Sequence, residues 1–330
     1  MAILWGFNSL LKKNMKTIIF LIIIVVTAPF SAQAKGLYVV NEGGTINIID
    51  TLSESVVKEI HSGNSSVNIA ADRSNRYIVI GNGEENEKVW VLDIQNERIA
   101  AKIPVMKGKK AGFFFFAFSK DGSRLFALNR YSSELYVISV HDWRLLKTIP
   151  LNLSPEGMEI SPDGKLLYIL NRTLPNLMVF NIDAEKIEKN IKIDGALSFI
   201  LSSHDGKTLY ITDKGNAGVL ALDAISFKIL KRINVGTEPV DMAITKDGRF
   251  LYVSCRFSYS LIVVDALEMK AAANIPVGIH PWGVALNDDG TEAYVANYNE
   301  NTISIIDLKK QREVYRLPTG VFPTKVLFVP

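Results

Sequence analysis

Five Asp-Gly pairs recur at an unvarying interval: Asp121-Gly122, Asp163-Gly164, Asp205-Gly206, Asp247-Gly248 and Asp289-Gly290, each 42 residues after the last. A fixed period of this size marks a repeat architecture, and a unit of about 40–45 residues holding four strands is a propeller blade. Asp-Gly between two apolar runs signals a hairpin, because glycine takes a positive φ without a steric cost. The stretch His280 to Leu308 shows the unit most plainly: two apolar runs joined by Asn287-Asp288-Asp289-Gly290, then a third run after Asn299-Glu300-Asn301.

A second marker keeps step. The third run of each unit ends at Asp50, Asp93, Ser139, Asn181, Asp223, Asp265 and Asp307, which makes seven blades. The runs are apolar on both faces, as in Leu167-Tyr168-Ile169-Leu170, and a blade packed on both sides by its neighbours predicts this. The first unit begins directly at Leu37-Tyr38-Val39-Val40-Asn41 and lacks a first strand. The chain ends in an orphan first strand around Pro323, which falls 42 after Pro281 and 84 after Pro239. The expected fold is therefore all-β: a seven-bladed propeller of four-stranded antiparallel blades over residues 35–330, closed by the C-terminal strand completing the first blade, which removes free sheet edges.

Tyr294-Val295-Ala296-Asn297, followed by Asn301-Thr302-Ile303-Ser304-Ile305-Ile306-Asp307, resembles the YVTN family of β-propeller repeats. The resemblance covers about residues 37–330 and implies a bacterial or archaeal extracytoplasmic propeller. It implies no single activity, since propellers host unrelated functions.

Residues 1–34 read as a secretory signal: Lys12, Lys13 and Lys16, an apolar run Ile18–Val26, then Ala32-Gln33-Ala34 at the cleavage positions. Cleavage after Ala34 and a periplasmic or secreted location are expected, with no membrane span in the mature chain. Loss of those three lysines leaves 34 basic against 34 acidic residues, so global charge gives no argument for nucleic-acid binding. Cys255 is the one cysteine and fills a strand end.

No haem-attachment, zinc-protease, nucleophile-elbow or Walker motif occurs, and none of the four histidines is paired at ligand spacing with another His or Cys. No catalytic residue, metal ligand or cofactor is assigned. Stacking the repeats is more informative. Arg130, Arg172, Lys214 and Arg256 occupy one position just past the second strand on four consecutive blades, with Tyr298 next, and Lys107, Lys109 and Lys110 lead into the same rim. This basic arc suits a small anionic ligand or an acidic protein partner, although Glu156, Asp194, Asp213 and Glu238 stand near enough to neutralise it. Asp241 and Lys325 share a position inside innermost strands, and His280 opens one. The candidate binding set is thus Arg130, Arg172, Lys214, Arg256, Tyr298, His280, Glu238 and Asp241. The Phe113–Phe116 run is expected to pack between blades or wall the channel.

The function expected from these signals is an exported, monomeric, non-catalytic binding or scaffold module. The alternative is a propeller subunit of a periplasmic dehydrogenase complex whose redox centre lies on another chain. A stand-alone hydrolase would need His280, Glu238 and Asp241 to converge.

Overall fold

A computed structural model describes residues 36–63, 67–82, 88–105 and 114–330. The leader (1–34) and the lysines Lys107, Lys109 and Lys110 lie outside the described residues.

Seven four-stranded antiparallel sheets follow one another in the chain, as 69–104, 114–150, 155–192, 197–234, 239–276 and 281–318 for blades two to seven. Blade one joins Gly36–Asn41, Thr45–Asp50 and Ser55–His61 to the C-terminal strand Pro323–Val329, which pairs antiparallel with Gly36–Asn41. The seven third strands end at the residues that the sequence marks. The innermost strand of every blade touches those of its neighbours, and the contacts from Pro323–Val329 to Ile69–Ala71 and from there to Phe114–Phe118 close the ring.

Each Asp-Gly turn is a small hydrogen-bonded device. Ser119, Ser161 and Ser203 donate their hydroxyls to the aspartate two residues on at 2.5–2.7 Å, and Thr245 does the same to Asp247. That aspartate accepts the N–H two residues further at 3.0–3.1 Å. The glycines hold φ of 69–80°. Hydroxyl donation from Ser119 and Ser123 holds the Asp121 carboxyl down at about 2.

The core lies between blades, in seven apolar clusters that each draw on adjacent sheets. Phe114 is wholly buried and stacks on Phe116 at 5.9 Å. Cys255 is buried there too, and burial pushes its thiol up to about 12, which makes it an inert filler rather than a nucleophile. The outermost strands carry the exposed charge, and Lys58–Glu97 and Lys147–Glu185 staple one blade's edge to the next.

Candidate functional site

On five blades the residue just past the second strand donates its backbone N–H to the carbonyl of the residue that precedes the innermost strand. The pairs are Arg172 to Ser154, Lys214 to Ala196, Arg256 to Glu238, Tyr298 to His280 and Glu42 to Phe322, at 2.7–3.0 Å. This recurring bond fixes the stacked position at the ring mouth and sets Glu42 in it on blade one.

Below the mouth a cavity of about 230 Å³ receives residues from all seven innermost strands or the segments that lead into them. Arg130, Lys214 and Asp241 of the expected set line it, together with Phe115, Phe116, Glu156, Glu159, Phe199, Trp282 and Lys325. Arg172, Glu238, Arg256, His280 and Tyr298 stand outside its lining. Of the phenylalanine run, Phe113 lies outside the described residues, Phe114 is in the core, and Phe115 and Phe116 wall the channel.

Three cations of the arc meet on one carboxylate. Glu156, with a side chain only 11% exposed, accepts from Arg130 at 2.6 Å, lies 3.6 Å from Lys214 and 4.0 Å from Arg172. Burial pulls the Lys214 ammonium below its ordinary value; Glu156 and Glu238 hold it up, and Arg130 lowers it further. Arg256 is not part of this cluster. Its guanidinium lies 3.7 Å from Glu238 and over the rings of Trp282 (4.9 Å), Phe257 (5.4 Å) and Tyr298 (6.0 Å). The other two suspected neutralising acids face elsewhere, Asp194 toward Lys192 and Asp213 toward Ala196 N–H, Asn216 and Arg232.

Asp241 and Lys325 pair directly across blade seven. Blade seven carries Gly283 at their shared position, and a Cβ there would come within 2.8 Å of the Thr324 carbonyl oxygen and Lys325 Cα. The missing side chain lets the strands close up, and Asp241 also accepts Val284 N–H at 3.1 Å. The Lys325 ammonium sits 4.7 Å from the Phe199 ring. His280 packs edge-on against Phe257 at 5.2 Å and beside Tyr259 at 5.7 Å, and Tyr298 donates its hydroxyl to Glu42 at 2.5 Å. His280, Glu238 and Asp241 thus engage three different sets of neighbours, so the hydrolytic site that required their convergence is not formed by them.

The acid that the sequence reading missed is Glu159. It projects from the innermost strand Pro155–Ile160 into the cavity and accepts Ser202 N–H at 3.2 Å from the next strand. Burial deep in the ring raises its carboxyl to about 7, against the lowering effect of Ser202 and Lys325. The signal was present in the repeat. At the same position, 42 apart, stand Ala117, Leu201, Ala243, Ala285 and Leu327. Among the described residues no group of three or more His, Cys, Asp or Glu could hold a metal ion.

No family model matches the chain, and no curated protein matches its sequence. Solved propellers do match in fold. A periplasmic gluconolactonase of Pseudomonas aeruginosa superposes with a TM-score of 0.75 at 16% identity, over 90% of this chain and 99% of its own. A putative 6-phosphogluconolactonase of Bacteroides fragilis gives 0.72 at 14%, over 92% and 100%. The Kuenenia stuttgartiensis hydrazine synthase gives 0.74 at 20%, over 83% and 92%. These likenesses establish the propeller fold expected from the YVTN-like repeats, while no model of that family is matched. They also correct the functional expectation. These three matching rings carry the names of enzymes, so a non-catalytic scaffold is no longer the reading that the fold favours. No helix among the described residues is long and apolar enough to cross a membrane.

Proposed function

We propose that this protein is a hydrolase of a small anionic lactone or ester, working by general acid–base catalysis inside the ring. One observation carries the reading: Glu159, held near pKa 7, opens on the same cavity as the cations Arg130, Lys214 and Lys325. A general acid–base group works best when its pKa lies near the operating pH, and strongly perturbed groups in a cleft mark functional sites. The lactonase names among the fold neighbours support a lactone as the first substrate class to test.

In the proposed cycle the Glu159 carboxylate takes a proton from water as the water oxygen bonds to the substrate carbonyl carbon. The carbonyl electrons move to its oxygen, and Lys325 stabilises the resulting oxyanion. Collapse breaks the carbon–oxygen ring bond, and the Glu159 acid returns the proton to the departing alkoxide. Lactone and water give the hydroxy acid, and the enzyme is restored. Arg130 and Lys214 hold the substrate's own anionic group, in competition with Glu156. The leader pattern of residues 1–34 supports placing this activity outside the cytoplasm.

The test compares 6-phosphoglucono-δ-lactone with the neutral glucono-δ-lactone in a pH-stat. The phosphorylated substrate is expected to be preferred, with an ionisation near pH 7 in kcat. Glu159→Gln should lower kcat by about 10²–10⁴ with little change in KM, whereas Lys214→Met should act mainly on KM. Undiminished kcat in Glu159→Gln, or no hydrolysis of either lactone above buffer, overturns the reading.

A further inference from the structure

One position on the innermost strands carries Phe115, Gly157, Phe199, Asp241, Gly283 and Lys325, each 42 residues after the last. Two of its side chains meet across blade seven. The Lys325 ammonium, from blade one, passes Gly283 to reach the Asp241 carboxylate of blade six. It lies 4.7 Å from the Phe199 ring of blade five, and the next blade is the one that carries Glu159. Lys325, Asp241 and Glu159 all line the same cavity. The lysine therefore has two carboxyl groups to choose from, and its flexible four-carbon stem does not by itself decide between them.

The decision is made by Asp241, which is 2% exposed. Its Oδ2 accepts Val284 N–H at 3.1 Å as well as the ammonium, and its Oδ1 accepts Met242 N–H at 3.0 Å. Two backbone donors hold the carboxylate still, and so hold the ammonium bound to it. Glu159 accepts Ser202 N–H at 3.2 Å, and among the described residues no ion pair joins it to Lys325. The other charged or titratable groups around Glu159 are engaged elsewhere. Glu156, on its own strand, takes Arg130 and Lys214. Tyr168, its register partner, has its hydroxyl pushed up to about 12 and stays neutral. Arg124, on Arg124–Asn129, lies over the Phe126 ring. The flanking strands Phe114–Phe118 and Leu197–Ser202 bring no charged residue. Lys325 is the cation whose charge reaches Glu159, and it offsets the effect of burial only in part.

We propose that Asp241 is a positioning residue: it holds the Lys325 ammonium against blade six and so keeps it from closing on the Glu159 carboxylate. A full ion pair with Glu159 would make that group a weak base and neutralise the charge needed at the oxyanion. The part of Asp241 in the cycle rests on the hydrolase reading, whereas its effect on Glu159 does not.

Carbon-13 NMR of protein labelled at the glutamate carboxyl follows the Glu159 titration, its signal assigned by its absence in Glu159→Gln. Asp241→Asn should lower the midpoint by about one unit, since an opposite charge within about 4–6 Å lowers a carboxyl by about 1–3. Lys325→Met should raise the midpoint, and adding Asp241→Asn to it should change nothing further. Lys325→Gln takes its place should the methionine variant not fold. A role in the fold alone would leave the midpoint where it is. An unmoved or raised midpoint in Asp241→Asn overturns the proposal. So does an equal fall in the Lys325→Met background, which direct repulsion between the two carboxylates would give. In a lactone assay the acid limb of kcat should move with the midpoint. If no lactone is hydrolysed, the hydrolase reading falls and the titration still decides the role of Asp241. Hydrolysis with an unmoved midpoint refutes that role alone.

Discussion

Lys325→Met removes one half of the ion pair that ties blade six to the closing strand. Asp241 is then left 2% exposed, with Val284 N–H at 3.1 Å and Met242 N–H at 3.0 Å as its remaining donors. Removal of one partner of a buried pair costs about 3–5 kcal/mol, because the other charge stays buried and uncompensated. The two backbone donors and the nearby cavity reduce the penalty, so about 3 kcal/mol is expected here. Asp241→Asn should cost less, roughly 1 kcal/mol, since the Lys325 ammonium is partly exposed and keeps the Phe199 ring. The double variant should lie within about 1 kcal/mol of wild type, as replacement of a whole buried pair often does. The coupling that follows is about 3 kcal/mol or more, at the upper end of the range seen for contacting residues. Urea unfolding of all four proteins measures it, with a shift in midpoint at constant m expected. A cost below about 1 kcal/mol for Lys325→Met, or coupling below about 0.5 kcal/mol, would show that the pair is solvated and that Asp241 does not depend on it.

Deletion of 323–330 should cost several kcal/mol and expose apolar surface, at about 25 cal/mol per Å² uncovered, because Thr324, Val326 and Val329 are buried against Gly36–Asn41; a truncated protein that melts like the full chain would refute ring closure. Intact-mass measurement of exported protein should place the N-terminus at Lys35, and retention of the leader in the cytoplasm would overturn that expectation. Glu159 is raised from 4.5 to about 7 in the fold, so the folded state favours its protonated form. Its contribution is therefore favourable at acid pH, and stability should fall by about 3 kcal/mol as pH rises from about 4.5 to about 7. Glu159→Gln should flatten that limb of the stability profile, and an unchanged limb would place the ionisation on another group.

The period of 42 made the fold legible because successive blades share much of their local chemistry, the hydroxyl-to-aspartate turn recurring on four of them. The hydroxyl-to-aspartate turn and the small polar or apolar residue that ends each second strand are repeated demands of the backbone, so they survive as a pattern. The position of the basic arc was legible for the same reason. Its geometry was not, since Arg130, Arg172 and Lys214 converge on Glu156 from three neighbouring blades, while Arg256 turns to Glu238 among aromatic rings. Stacking by position told which side chains share a height and nothing of where they point. The same limit explains His280, Glu238 and Asp241, three plausible groups with three separate sets of partners. Glu159 escaped because it was judged by motif rather than against its own repeat, where every equivalent residue is alanine or leucine.

That contrast has a physical consequence for where chemistry can sit in such a ring. A position repeated identically around seven blades presents the same group in every direction and cannot single out one reacting atom. Focus requires departures from the repeat that fall on neighbouring blades. Here they do. Glu159 and Glu156 both arise on blade four, whose own Arg172 is flanked by Arg130 on blade three and Lys214 on blade five. An acid at Ala285 instead would share its strand with Trp282 and Gly283, on the aromatic side of the mouth. Burying Glu159 raises its pKa and costs stability at neutral pH, a cost that the nearby Lys325 only partly offsets. Under the proposed reading, its place on the cationic side of the channel would put the proton-transfer group where the nearby cations draw in the anionic substrate.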